Sequence, residues 1–230
     1  MAENSFSSTE DAPVRALPLW LERTFVLSLC FGYFVVRSAY ALITKQATIE
    51  YDQAATWHTL LFELLVGAVA LLFLHAQRRN LSMFKVRLSW DSLLIGCLAG
   101  VGCCFALALL AGAVNLVLPA FLQVGVRVVR NTAAFPLTLI FLIVNSCFEE
   151  IFANAYSVTT FASYGAVRAL LLSASIRALY HTYQGIGGAV AVFVLGVLFA
   201  AIFMRSRNLA VPIIAHTVIN IIAVAFRHAG

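Results

Sequence analysis

The chain has 230 residues, of which 62% are hydrophobic and only 11% charged, and its mean hydropathy is +0.94. A soluble globular domain carries about 25% charged residues, so this composition excludes an ordinary water-soluble domain and requires a lipid bilayer as the solvent. Basic connections between membrane spans account for the net charge of +5, and no nucleic-acid partner is predicted.

The amino-terminal stretch, residues 1–18, is short and polar, and it carries Glu3, Glu10 and Asp11. It lacks the basic start and short apolar stretch of a cleaved secretory signal. Low hydrophobicity of this kind is typical of disordered segments. We therefore expect a disordered cytosolic tail over residues 1–18.

Seven apolar segments follow, each close to the ~20 residues that cross a bilayer as a helix. Every backbone polar group must be satisfied within lipid, so we expect helices throughout and no strands. The predicted fold class is all-α, a polytopic membrane helix bundle. The seven predicted spans are Arg23–Ile43, Thr56–Ala76, Leu93–Val114, Phe135–Val158, Ala166–Tyr183, Ile186–Met204 and Leu209–Phe226.

One further apolar piece, Asn115–Asn131, separates the third and fourth spans and contains Pro119, Arg127 and Arg130. It is compatible with an interfacial helix, a re-entrant segment or an eighth span. For the organisation of the chain, we expect amino-terminal membrane helices over residues 19–132 and a catalytic-type membrane core over residues 133–230.

Basic residues predict the orientation, because cytoplasmic connections of membrane proteins are enriched in Lys and Arg. They crowd the connections after the second and sixth spans, and alternation then places the amino terminus inside. We expect an integral multi-pass protein of the bacterial plasma membrane with a cytoplasmic amino terminus. The basic residues concerned are Arg78, Arg79, Lys85, Arg87, Arg205 and Arg207.

Polar clusters interrupt three of the apolar spans. A carboxylate or an arginine at the centre of a membrane helix costs about 2.5–3.5 kcal/mol on insertion scales, and such groups usually face one another and serve a function. Two carboxylates, two imidazoles and amide groups on three helices are the components of a hydrolytic site. The residues are Glu149, Glu150 and Asn154 in the fourth span, Arg177 and His181 in the fifth, and His216 and Asn220 in the seventh.

Helix geometry places these clusters at similar depth. If the fourth and fifth spans form a hairpin that turns near Ser163–Tyr164, Glu149 and His181 lie a similar number of 1.5 Å rises from the turn. His216, about two turns into the seventh span, can approach the same pair. Adjacent helix residues point about 100° apart, so Glu149 and Glu150 should have different tasks: one activates water and the other anchors the helix.

The motifs resemble those of the CAAX protease and bacteriocin-processing family, also called the Abi family, of intramembrane glutamate proteases. Its pattern is Glu-Glu-x-x-x-Arg on one helix, Phe-x-x-x-His on the next and His-x-x-x-Asn two helices later. The resemblance implies that Glu149 is the general base and that His181 orients the water. It also implies that His216 and Asn220 stabilise the oxyanion, while Glu150 holds the helix.

The resemblance covers about Phe135–Phe226. It implies an endopeptidase that needs no metal or cofactor and that acts on a membrane-associated peptide or protein, with or without a prenyl anchor. Its partners would be this substrate and the bilayer.

Two positions depart from the family pattern, since Asn154 occupies the motif arginine and Arg177 the motif phenylalanine. In one interpretation the two departures are a single change, and Arg177 neutralises Glu150 from the neighbouring helix. In the other, the site has drifted and the chain is a catalytically inactive relative.

Other functions fit parts of the pattern. Carboxylates and histidines in a helix bundle can relay protons or bind cations in a transporter. Glu149, His181 and His216 could bind zinc, although no His-Glu-x-x-His run is present. Cys147 could act as a nucleophile, and a non-catalytic immunity or binding protein would keep the fold alone.

A further charged pair is expected outside the three clusters. Arg37 and Glu63 both lie about two turns from the outer ends of the first two spans. They can therefore meet at one depth, and we expect a structural ion pair between them.

Overall fold

The structure is a computed structural model that describes residues 17–45, 48–117 and 128–228. Residues 1–16, most of the expected cytosolic tail, and residues 118–127, including Pro119 and Arg127, lie outside the described residues. The helices are α1 (Leu19–Ile43), α2 (Gln53–Ala76), α3 (Trp90–Val117), α4 (Phe135–Glu149), α5 (Ser157–Phe161), α6 (Ala166–Tyr180), α7 (Gly185–Ser206) and α8 (Ala210–His228).

The helices confirm the predicted all-α membrane bundle. Because α4 and α5 form one continuous rod, the described residues contain seven membrane helices, one for each predicted span. Five of them are long and apolar enough to cross a bilayer. The other two, α6 and the apolar part of α8 at Ala210–Ala225, are shorter. The chain is therefore an integral membrane protein.

Large apolar side chains cover the outside of the bundle. Leu65 is 67% exposed and Phe105 is 69% exposed, and both lie in the middle of long helices. A water-soluble protein rarely exposes continuous apolar surface of this extent. These helices are hydrophobic on all sides, as expected where neighbouring helices cover one side and lipid covers the other.

A wide π-helical turn, Glu150–Tyr156, joins α4 to α5. Inside this turn the backbone hydrogen bonds reach one residue further than in an α-helix. The widened turn leaves carbonyl oxygens available to side chains: the Ser157 hydroxyl donates to Phe152 O and the Ser173 hydroxyl, from α6, donates to Ala153 O at 2.6 Å. Single π-turns of this kind are frequent at functional sites.

The expectation of helices alone is wrong in one place. Strand β1 (Thr48–Tyr51) follows α1, strand β2 (Val128–Asn131) precedes α4, and the two pair in parallel from Thr48 with Val128 to Tyr51 with Asn131. Both strands lie in connections between membrane helices. The rule that excludes strand edges applies to lipid-exposed backbone within the hydrocarbon region and does not govern such connections.

The strand pairing also relates the ends of the helices. β1 follows α1 and pairs with β2, and β2 leads into α4, so α1 finishes and α4 begins at the same end of the bundle. We call this end of the bundle the strand face.

At the other end of the bundle, the connections carry most of the basic residues, and we call this end the basic face. Asn208, between α7 and α8, exchanges two hydrogen bonds of 2.9 Å with the backbone of Arg87, just before α3. Arg79 pairs with Glu22 near the start of α1. Arg23 donates to the Tyr164 hydroxyl in the turn before α6. These contacts place the two predicted basic connections on one face.

Glycines allow a close contact between α3 and α8. A Cβ atom on Gly96 would lie 2.7 Å from the Ile214 Cβ, and one on Gly100 would lie 2.8 Å from Ala215 O. The Gly-x-x-x-Gly spacing puts both glycines on one face of α3, which is a common interface in membrane helices. The contact holds α8, with His216, against the rest of the bundle.

Candidate active site

Arg177 of α6 connects the two glutamates of α4. Its Nη1 lies 3.0 Å from Glu149 Oε2, and its Nη2 lies 2.6 Å from Glu150 Oε1. All three residues are buried, with exposed fractions of 3%, 4% and 0% for Arg177, Glu149 and Glu150. The planar guanidinium fork presents several fixed donors, which explains how one cation holds two adjacent carboxylates that point in different directions.

Glu150 has hydrogen-bond partners on both oxygens. His216 Nδ1 lies 3.0 Å from Glu150 Oε1, and the amide of Asn154, one turn further along the same helix, donates to Oε2 at 2.7 Å. The Asn154 amide also lies 3.2 Å from Phe199 O on α7. Glu150 therefore joins α4 to α6 and α8, and its oxygens are occupied by protein donors.

Glu149 keeps one oxygen free of the arginine. Its Oε1 lies 4.0 Å from His181 Nε2, which is too far for a direct hydrogen bond. His181 Nδ1 lies 3.1 Å from Arg177 O. A carbonyl oxygen only accepts, so Nδ1 carries a proton, and in the neutral imidazole Nε2 is left as an acceptor that faces Glu149.

The end of α6 positions His181. The helix finishes at Tyr180, and His181 leaves it with φ −104° and ψ 5° before a short turn, Thr182–Gln184. Gly185 then starts α7 with φ 82°, a backbone conformation that favours glycine. Because α6 has only 15 residues, the turn brings the imidazole to the level of Glu149 inside the bundle.

A cavity of about 160 Å³ adjoins this pair. Glu149, Tyr180 and His181 line its inner end. Tyr51 and Asn131, the last residues of the two strands, also line it, so the cavity extends toward the strand face. Its walls combine polar side chains with aromatic and aliphatic ones.

The two polar residues of α8 have different surroundings. Asn220 lines the cavity and donates to the Ser146 hydroxyl at 3.3 Å. His216 packs instead against Glu150 and the Phe199 ring, whose centroid lies 5.2 Å from that of the imidazole. Of this predicted oxyanion pair, only Asn220 is a lining residue of the cavity.

The contacts support the interpretation in which Arg177 neutralises Glu150, and they add a second partner for Arg177. Arg177 does pair with Glu150, as the departures at Asn154 and Arg177 suggested, and Asn154 contacts the same carboxylate. The additional pair between Arg177 and Glu149 was not anticipated from the sequence.

The expected ion pair between Arg37 and Glu63 is wrong. Arg37 lies over the ring of Tyr51, 5.6 Å from its centroid, and Glu63 accepts a hydrogen bond of 2.7 Å from Asn145. Matching depth alone did not reveal which way each helix faces. The unpredicted strand β1 supplies the aromatic ring that Arg37 contacts.

Asn145 was missed by the sequence analysis. It also donates to Glu149 Oε1 at 3.3 Å, from one helical turn before it. An amide four residues before the candidate base, on the same helix face, was the signal that could have identified it.

Two alternative chemistries can be compared with the geometry. Among the described residues, no group of three or more His, Cys, Asp or Glu side chains is arranged to hold a metal ion. His216, one of the three candidate zinc ligands, pairs with Glu150, whereas Glu149 faces His181. Cys147 does not line the cavity that Glu149 and His181 share.

Comparison with known proteins gives one family match, and neither a curated protein nor a solved structure matches the chain. Residues 131–222 match the family described as Type II CAAX prenyl endopeptidase Rce1-like. The matched region begins at the end of β2 and includes every helix that contributes to the Glu149–His181 pair and its supporting residues. By this match, the carboxy-terminal membrane core is similar to the Rce1-like CAAX prenyl endopeptidases, which confirms the resemblance to the CAAX protease and bacteriocin-processing family.

Proposed function

We propose that this protein is an intramembrane endopeptidase in which Glu149 activates a water molecule. The observation that carries the proposal is the 4.0 Å gap between Glu149 Oε1 and His181 Nε2 at the wall of the cavity. Two hydrogen bonds of about 2.8 Å can meet across such a gap. One water can therefore donate one hydrogen to the carboxylate and the other to the imidazole.

Such a water would be well placed for attack on a peptide carbonyl. With both hydrogens held, its lone pairs point into the cavity. Glu149 accepts a proton as the oxygen attacks, and it returns that proton to the amine nitrogen when the peptide C–N bond breaks. General base catalysis of this kind contributes about 10²–10⁴-fold to the rate. His181 acts as an orienting acceptor, since its Nδ1 proton is fixed on Arg177 O.

The tetrahedral oxyanion needs donors on the other side of the carbonyl. Asn220 is suited to this role because its amide lies at the cavity wall, where a hydrogen bond from a fixed donor is most effective. His216 Nδ1 is committed to Glu150. His216 can add a hydrogen bond from Nε2 only when the imidazole carries both protons. We therefore assign most of the stabilisation of the oxyanion to Asn220.

Arg177 and Glu150 hold the helices of the site in position. A drifted, inactive site would have no need to keep a buried cation between two buried carboxylates, because removing all three charges is less costly in a membrane. The contacts of Arg177 with both glutamates support the interpretation in which it replaces the missing family arginine.

The orientation of the chain determines how a substrate reaches the site. The positive-inside rule makes the basic face cytoplasmic, with the amino terminus on that side. The cavity extends to the opposite, strand face. We therefore propose that the substrate is a membrane-associated peptide that enters from the strand face or sideways from the bilayer.

The test uses a farnesylated, internally quenched peptide ending in Cys-aliphatic-aliphatic-Xaa, with the purified chain in detergent or liposomes. Glu149→Gln should lower turnover at least about 100-fold, because the general base is lost, without loss of folded protein. Asp91→Asn, at an exposed carboxylate in the first turn of α3 on the basic face, is the matched control and should cleave like the wild type.

Three outcomes would contradict the proposal. Near-wild-type turnover by Glu149→Gln would remove Glu149 as the base. Loss of wild-type activity on adding a chelator, with recovery on adding zinc, would favour the metal mechanism instead. Saturable peptide binding without cleavage would indicate a binding protein that retains the fold.

A further inference from the structure

A second carboxylate lies close to Glu149, on a different helix. Glu63 of α2 is 1% exposed and lines the catalytic cavity together with Asn145. The Asn145 amide nitrogen lies 2.7 Å from Glu63 Oε1 and 3.3 Å from Glu149 Oε1. An amide nitrogen has two hydrogens, so Asn145 can donate one to each carboxylate.

The position of this amide matters because of what holds Glu149. Arg177 binds Oε2 alone. A carboxylate fixed by one oxygen can still rotate about its last carbon–carbon bond, since such terminal torsions are broad. A second donor on Oε1 removes this freedom and keeps Oε1 at the cavity, facing His181.

The position of Asn145 depends in turn on Glu63. Without an acceptor on α2, the asparagine amide could adopt another rotamer and lose contact with Glu149. Glu63 is itself held in place by burial, and its Oε2 atom has no hydrogen-bond partner in the described part of the chain.

We infer that Asn145, anchored by Glu63, is a positioning residue that holds the carboxylate of Glu149 in its catalytic orientation. The inference rests on the proposed function, because Glu149 is taken as the base. In this role Asn145 contacts the base carboxylate, and Glu63 acts through Asn145. Their effect reaches the reaction through Glu149, so it should appear in kcat and leave KM nearly unchanged.

The kinetic test compares four variants with the farnesylated peptide. Asn145→Ala and Glu63→Leu should each lower kcat about 10- to 100-fold, as expected for the loss of a hydrogen bond to a charged group. KM should change less than about twofold if substrate binding is intact. Glu63→Gln keeps an oxygen acceptor for Asn145 and should restore most of kcat. Asn80→Ala, on the basic face, is the matched control for removal of an amide.

Three outcomes would overturn the inference. A higher KM at unchanged kcat would make Asn145 a substrate-binding residue. A Glu63→Gln variant as slow as Glu63→Leu would show that the hydrogen-bond acceptor is irrelevant. An Asn80→Ala variant as slow as Asn145→Ala would show a general loss of folded protein.

A second measurement separates this inference from the proposed function. Wild type and Glu149→Gln are assayed on the same preparations, and a wild type without cleavage would refute the function. Unfolding free energies of Asn145→Ala, Glu149→Gln and the double variant then test the contact itself, since residues in one hydrogen-bond network are non-additive. We expect non-additivity that disappears in a Glu63→Leu background. Additivity with Glu63 present would overturn the inference without reference to activity.

Discussion

Replacement of Arg177 by methionine tests the charge network most directly. Methionine keeps an unbranched chain out to about the position of the arginine Nε, so the packing of the stem is largely preserved while the guanidinium is removed. Two carboxylates then lose their cation inside the bundle, at 4% and 0% exposure for Glu149 and Glu150. Removing one partner of a buried ion pair costs about 3–5 kcal/mol, because an uncompensated charge stays buried.

The remaining contacts of the two glutamates determine how large the loss of stability should be within this range. Asn154 and His216 still donate to the two oxygens of Glu150 in the variant, whereas Glu149 retains the longer bond from Asn145. We expect a loss of about 3 kcal/mol, with most of it due to Glu149. Adding Glu149→Gln to Arg177→Met should recover part of that loss, since the unpaired charge is removed.

The assay is unfolding by denaturant in detergent, followed by circular dichroism, with peptide cleavage measured on the same samples. Arg168→Met is the control, because Arg168 lies on the same helix and is exposed, and surface substitutions usually stay within about 0.5 kcal/mol. If Arg177→Met were no less stable than Arg168→Met, Arg177 would not pair with the glutamates. Equal stability of the single and double variants would show that Glu149 carries no unpaired charge.

Two further predictions concern the displaced arginine and the glycine contact. Arg177→Phe restores the residue of the family pattern but should abolish most activity. Adding Asn154→Arg should recover much of that activity, because it returns a cation to Glu150. No recovery in the double variant would favour a drifted, inactive site. Gly100→Ala should destabilise the bundle by about 1–3 kcal/mol through overpacking against Ala215 and Val218. Gly102→Ala, with nothing within 4 Å of the added Cβ, should be neutral or slightly stabilising, and equal losses in the two alanine variants would contradict the close contact.

The sequence predicted the membrane helices well because their signal is local. Each long apolar run is sufficient by itself to indicate a span, and the runs around Glu63 and Glu149 gave helices near the expected bounds. The hairpin argument also brought Glu149 and His181 to similar depth, because it needs only the rise per residue and the position of one turn. The division into residues 19–132 and 133–230 stays a prediction.

Features that depend on how helices rotate and tilt could not be predicted in this way. Counting turns gave Arg37 and Glu63 the same depth, but the contacts of these residues with Tyr51 and Asn145 depend on the faces that α1 and α2 present. The strand pair joins segments far apart in sequence, and four-residue strands have no clear periodic signal. The π-turn at Glu150–Tyr156 has no recognised sequence signature, so its widened backbone was not foreseen.

That turn makes the number of residues in the central helix as important as their identity. Compared with an α-helix, the π-turn contains one residue more, and each α-helical residue contributes about 100° of rotation. Deleting Ala155 would let the rod return to regular winding, and the residues that follow would keep their angular phase, because the wide turn alone holds the additional residue. The deletion would instead return the carbonyl oxygens of Phe152 and Ala153 to the regular helix hydrogen bonds, so the Ser157 and Ser173 hydroxyls would lose their acceptors. A single-residue deletion here should therefore weaken the contact between this turn and α6, even where the removed side chain is a methyl group.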